Sequence, residues 1–142
     1  MKKHAMPLIA ALLAGTCVAA FAQQAPKPET LIKWRQSAYQ VLAWNNARIK
    51  ANLEGQFNKD EVIRAANSTA ALANSGLGAL FAPGTETGKG WHETSAKPEL
   101  FKDGKRVGEL AGNFAREANE LAKVAATGDA GAAGRVEADV DA

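Results

Sequence analysis

Pro28-Glu29-Thr30-Leu31-Ile32-Lys33-Trp34-Arg35-Gln36-Ser37-Ala38-Tyr39-Gln40-Val41-Leu42 opens the stretch that decides the fold, and the stretch runs on through Asn45 and Ile49 to Leu53-Glu54. Pro28 suits a first helical turn, where a backbone N–H would have no partner anyway. Glu29 sets a negative charge against the positive end of the helix. Leu31, Trp34, Ala38, Val41, Leu42, Ile49 and Leu53 then recur at steps of three and four, with polar Asn45 interrupting. That is the stripe of an amphipathic helix over about 28–54. Gly55-Gln56 ends it.

The same period continues toward the C-terminus. Asn58 and Glu61 have capping-box spacing, with asparagine in place of the usual serine or threonine. Val62, Ala65, Ala66, Thr69, Leu72, Ala73, Leu77 and Leu80 form a second stripe, so a helix is predicted over 58–80. Phe81 to Ala96 is a Gly-, Pro- and Thr-rich connection long enough to suggest a role. Pro98 opens a third helix, predicted to run to 127, with Leu100, Phe101, Val107, Leu110, Phe114, Ala118, Leu121 and Val124 as its buried face. Lys105/Glu109 and Arg116/Glu120 are spaced as i,i+4 ion pairs on its outer face. Gly128 ends that helix, and Asp129 can cap a fourth over 129–142, where only Ala133, Val136 and Val140 offer apolar contacts. No strand-like alternation occurs. The reading is all-α: an antiparallel up-down-up-down four-helix bundle with the fourth helix reduced to a short stump.

The N-terminus is a transport label. Lys2, Lys3 and His4 form a basic head, Pro7 to Ala20 an apolar run, and Ala20-Phe21-Ala22 the small residues a signal peptidase accepts, so residues 1–22 read as a signal peptide cleaved after Ala22. The run is short of the roughly 20 apolar residues of a membrane span. Residues 23–142 form the one remaining domain. Cleavage removes two of 17 basic residues and leaves 15 against 15 acids. A neutral domain with interspersed charges carries no footprint for nucleic acid, and no membrane attachment is expected after cleavage. Cys17, Met1 and Met6 leave with the label, and His92 is the single histidine that remains. Gly84 to Gly90 looks like a phosphate loop, but it lacks the spacing and the magnesium-binding Ser or Thr of one and follows a helix. With no Gly-x-Ser-x-Gly, no His-Glu-x-x-His and no histidine pair, catalytic and metal residues are both read as none, and an enzyme is not expected.

Trp34-Arg35-Gln36-Ser37-Ala38, then Phe81-Ala82-Pro83-Gly84-Thr85-Glu86, then Lys97-Pro98-Glu99-Leu100-Phe101 follow one another in an order that resembles cytochrome c prime, the class II c-type cytochromes of the bacterial periplasm. The resemblance covers about residues 28–128. It implies a periplasmic four-helix bundle, often a homodimer, holding one haem c and serving in electron transfer or in binding small gases such as nitric oxide. In that family a Cys-x-x-Cys-His motif on the last helix attaches the haem and supplies the iron ligand. Carried over by position, Arg35 and Gln36 match residues beside the haem propionates, Tyr39 matches the side chain over the open iron face, and Thr85 and Glu86 match loop residues along the haem edge. By residue type alone, Arg35 reads as a solvated surface charge and Tyr39 as an aromatic at the core edge.

Here the sequence departs from the pattern. Each thioether needs a cysteine thiol, and residues 23–142 contain none. His92 lies in the loop before the third helix rather than on the last one, and no methionine remains for a His/Met pair. Three readings follow: a fragment or frameshift ending before the attachment motif, a haemless helical-bundle interaction protein, and a non-covalent haem binder. The redox partner is not encoded in any motif.

Overall fold

In the computed structural model of the chain the described residues run from 25 to 141. Residues 1–22, read above as a signal peptide, lie outside them, Cys17 included. Four α-helices follow in order: α1 (Pro28–Glu54), α2 (Lys59–Ala73), α3 (Gly104–Thr127) and α4 (Ala130–Asp141). Among the described residues the one extended pairing is an isolated bridge between Lys89 and Glu93. The all-α bundle therefore stands, short fourth helix included.

Local chemistry sets the helix ends. Pro28 occupies the first turn of α1. The Asn58 side chain accepts from the Glu61 N–H at 3.2 Å and caps α2, and the Asn58 N–H donates to Asn52 Oδ1 at 2.9 Å, which ties the start of α2 to α1. Asn58→Ala is therefore expected to lower stability by about 1 kcal/mol, read as an earlier urea midpoint at unchanged slope. An unmoved midpoint would show that the cap contributes nothing.

Two helices are shorter than their stripes suggest. α2 stops at Ala73 because Asn74 turns its amide back onto the Ala70 carbonyl at 2.7 Å and Gly76 adopts a left-handed conformation at φ 80°; the chain then continues as a 3-10 turn, Leu77–Leu80. Pro98–Phe101 is likewise a 3-10 turn, and α3 starts at Gly104 because Asp103 accepts from the Arg106 N–H at 2.9 Å. On the outer face of α3 the ion pairs are Arg106–Glu109, Arg116–Glu117 and Glu120–Lys123 instead of the i,i+4 pairs expected. Apart from the half-buried Glu117, the side chains in these pairs are exposed, and such pairs contribute little.

The buried face of α1 is Ile32, Arg35, Leu42, Asn45, Ile49 and Asn52. Trp34 and Val41, expected inside, are 52% and 39% exposed. The helix is rotated because Asn45 is a core residue with its polar atoms bonded. Its Nδ2 donates to the Val41 carbonyl at 3.0 Å and to Ser68 Oγ at 3.1 Å, and its Oδ1 accepts from Arg48 at 3.2 Å. A buried amide bonded in this way avoids the desolvation penalty that would otherwise turn it outward.

The core lies toward one end. Ile49, Val62, Ala65, Ala66, Leu121, Ala125 and Ala133 form one buried cluster, with Leu53, Phe57, Val136 and Val140 packed around it. α4 supplies Ala133 and rests on α3 and α1. At 1.5 Å per residue α4 is about 18 Å long against about 40 Å for α1, so the bundle is four helices thick over only part of its length. Beyond that part, Leu110 of α3 and Leu100 of the preceding 3-10 turn are at the surface, 47% and 36% exposed, which corrects their assignment to the buried face.

Candidate functional site

The thinner half of the bundle is where α1 meets the connection between α2 and α3. Arg35, Gln36 and Tyr39 stand within four residues of each other, which puts them on neighbouring turns. Arg35 is buried, contrary to its reading as a surface charge. Its Nη1 donates to the Leu80 carbonyl at 3.1 Å and to Thr85 Oγ1 at 3.1 Å. Its Nη2 donates to the Thr85 carbonyl at 3.0 Å and to Thr94 Oγ1 at 2.7 Å. The guanidinium carbon lies 4.7 Å from the centre of the Phe81 ring. Burial lowers the Arg35 pKa from its ordinary value, with the neighbouring Tyr39 acting in the opposite sense. An arginine nevertheless stays charged, so this is a buried cation that no carboxylate pairs among the described residues.

Gln36 grips the same connection further along. Its Oε1 accepts from the Trp91 N–H at 2.7 Å and its Nε2 donates to the His92 carbonyl at 2.9 Å. Gly90 makes this approach possible: a Cβ there would collide with Gln36 Oε1 and lie 2.8 Å from the Lys33 nitrogen. The Trp91 indole N–H donates to Ser37 Oγ at 2.9 Å, and Lys33 lies 5.2 Å from the Trp91 ring centre. His92 Nδ1 sits 3.2 Å from Gln36 Nε2 and 2.9 Å from the Glu93 carbonyl.

Two cavities flank Tyr39. One, of about 440 Å³, is bordered by Arg35, Gln36, Tyr39, Phe81, His92 and Leu100 among others. The second, of about 570 Å³, lies between α1, the Leu77–Leu80 turn and α3, with Leu42, Leu77, Val107, Leu110, Phe114 and the Val140 end of α4 in its wall. Tyr39, Ala43, Phe81 and Leu100 belong to both. Tyr39 is half exposed and meets the Phe81 ring edge-on at 6.5 Å, and Phe81 stands 6.1 Å from Phe101. Each volume falls in the range of small-molecule and cofactor sites, about 300–1,000 Å³.

Of the five residues singled out in the sequence, three border a cavity together: Arg35, Gln36 and Tyr39. Thr85 and Glu86 stand behind them. Thr85 is fully buried, and its hydroxyl accepts from Arg35 and donates to the Ala82 carbonyl at 2.8 Å. Glu86 folds back to accept from the Gly84 N–H at 2.8 Å. Neither borders either cavity. Sequence reasoning missed Phe81, Thr94 and the cavity-lining role of Leu100; the one local signal was that Phe81 and Leu100 flank the loop in the quoted motifs.

Residues 30–142 match the family described as Cytochrome C'. The cytochrome c' of Rhodocyclus tenuis is 70% identical over 107 residues, which span 75% of this chain and 80% of that protein. The cytochrome c' of Allochromatium vinosum is 45% identical over 141 residues, 99% of this chain and 92% of the other. A solved cytochrome c' with an unusual ligand-controlled dimer dissociation superimposes with a TM-score of 0.79 at 47% identity, covering 82% of this chain and 88% of that one.

Proposed function

This chain belongs to the cytochrome c' family, and from that premise we propose that it is a periplasmic haem-iron carrier of electrons or of a small gas such as nitric oxide. We propose further that residues 23–142 engage the haem without covalent bonds. The observation that carries the reading is the pair of cavities sharing Tyr39, Phe81 and Leu100 in front of a buried, carboxylate-free Arg35. Apolar walls suit a flat macrocycle, and a fixed loop gives it a preformed wall. Covalent attachment does not fit. Residues 23–142 supply no thiol, and His92 and Tyr39 are the only imidazole and phenol that border the cavities.

When bound, haem supplies a redox-active iron that can take a small gas. Tyr39, Phe81 and Leu100 would hold the ring by contact, and Arg35 and Gln36 would border it, with Thr85 and Glu86 behind them. The role is that of a carrier, not an enzyme. Export follows from the Lys2–Ala22 signal segment. A homodimer is part of the proposal, after the relative whose dimer dissociates under ligand control.

Titrating the chain with haemin tests the reading. A one-to-one Soret shift is expected, together with quenching of tryptophan fluorescence. Tyr39→Ala should weaken binding about tenfold or more through lost aromatic contact. No saturable change would overturn the haem reading and favour a haemless interaction protein, for which the exposed Trp34 and Trp44 on α1 are the supporting observation.

A further inference from the structure

Arg35 carries five N–H groups, and the four on its terminal nitrogens are all donated to the connection between α2 and α3. The acceptors come from three places along it: the Leu80 carbonyl, Thr85 through both its hydroxyl and its carbonyl, and the Thr94 hydroxyl. Phe81 covers the guanidinium. What remains is the single N–H on Nε, which cannot form the two parallel bonds by which arginine grips a carboxylate. Gln36 is occupied in the same way, its amide bonded to the Trp91 N–H and the His92 carbonyl.

We infer that Arg35 is a positioning residue: it fixes the Leu80–Thr94 connection as a wall of the cavity and acts on a ligand through that wall, not by pairing with a ligand carboxylate. A single rigid group ties together a stretch of 15 residues, from Leu80 to Thr94, and the residues between them include Phe81 and His92, which border the cavity. A lysine cannot replace it. Three N–H groups on one nitrogen cannot reach acceptors on both sides of a planar fork.

The ligand arm of the test rests on the haem reading; the loop arm does not. In the unliganded chain, Arg35→Ala and Arg35→Lys should both speed hydrogen exchange at the Thr85, Gly90 and Thr94 amides by about tenfold or more, since several bonds to a charged donor are lost. Exchange at Ile49 and Leu121 should be unchanged. Thr94→Val removes one acceptor while keeping the side-chain shape, and should give a smaller change confined to the same loop. In the ligand arm, haemin and haemin dimethyl ester, whose propionates are uncharged, are titrated into the wild-type and Arg35→Ala chains. Both ligands should lose affinity by the same factor in the variant. Two results would overturn the inference: loop amides that exchange at wild-type rates in Arg35→Ala, or a loss seen with haemin and abolished by esterification. If neither ligand binds the wild-type chain, the haem reading falls and the exchange rates alone decide the role of Arg35.

Discussion

Leu121→Ala is expected to lower the stability of the chain by about 2–5 kcal/mol, while Leu110→Ala, the same truncation eleven residues earlier on the same helix, should change it by within about 0.5 kcal/mol. Leu121 is fully buried, a member of the cluster that joins Ile49 of α1, Val62 and Ala66 of α2 and Ala133 of α4. Leu110 is 47% exposed in the thinner half. Domain stabilities are about 5–15 kcal/mol in total, and this cluster of seven buried residues is a large part of the core. Removing three heavy atoms from that cluster leaves a cavity that Ala65, Ala66 and Ala125, already small, cannot collapse to fill. The comparison is made by urea unfolding followed by far-ultraviolet circular dichroism. Equal shifts for the two variants would show that the core is spread evenly along the bundle.

How much of this was legible beforehand depends on the scale at which each signal acts. Helix identity is written in the period of three and four, and the caps at Asn58 and Asp129 are local enough to read from residue type; both are present, Asp129 accepting from the Ala132 N–H at 2.9 Å. Rotation of α1 was not legible. The period admits a face through Trp34 and Val41 as well as one through Ile32, Arg35 and Asn45. The choice is made by partners far away in sequence: Ser68 for Asn45, Thr85 and Thr94 for Arg35. The start of α3 was missed because Pro98 is as good an opening residue as Asp103, and only the 3-10 turn between them separates the two.

The site was legible through resemblance more than through chemistry. Arg35, Gln36 and Tyr39 do share a cavity wall. Residue type alone gives no reason to bury an arginine without a carboxylate; that follows only once the loop between Leu80 and Thr94 is wrapped around it. Thr85 and Glu86 belong to the loop's own bonding and stand back from the cavities. Phe81 and Leu100 became visible as lining residues only when the turns on either side of the loop were placed against α1.

The second large effect concerns covalent chemistry, and it is all or none. Joining a vinyl group to a protein requires a thiolate. Residues 23–142 contain no cysteine, and the one cysteine of the sequence, Cys17, lies within the stretch 1–22 proposed to be removed on export. The cavity residues Tyr39, Phe81, Leu100, Arg35 and Gln36 can contact a haem but cannot form a bond to its vinyl carbons. Non-covalent haem is lost on denaturation and thioether-linked haem is not. The decisive measurement is therefore to co-express this chain with a complete cytochrome c maturation system, separate it on a denaturing gel, stain for haem peroxidase activity and weigh the same band by mass spectrometry. An unstained band with the mass of the polypeptide alone is the predicted result; a stained band heavier by one haem would contradict it.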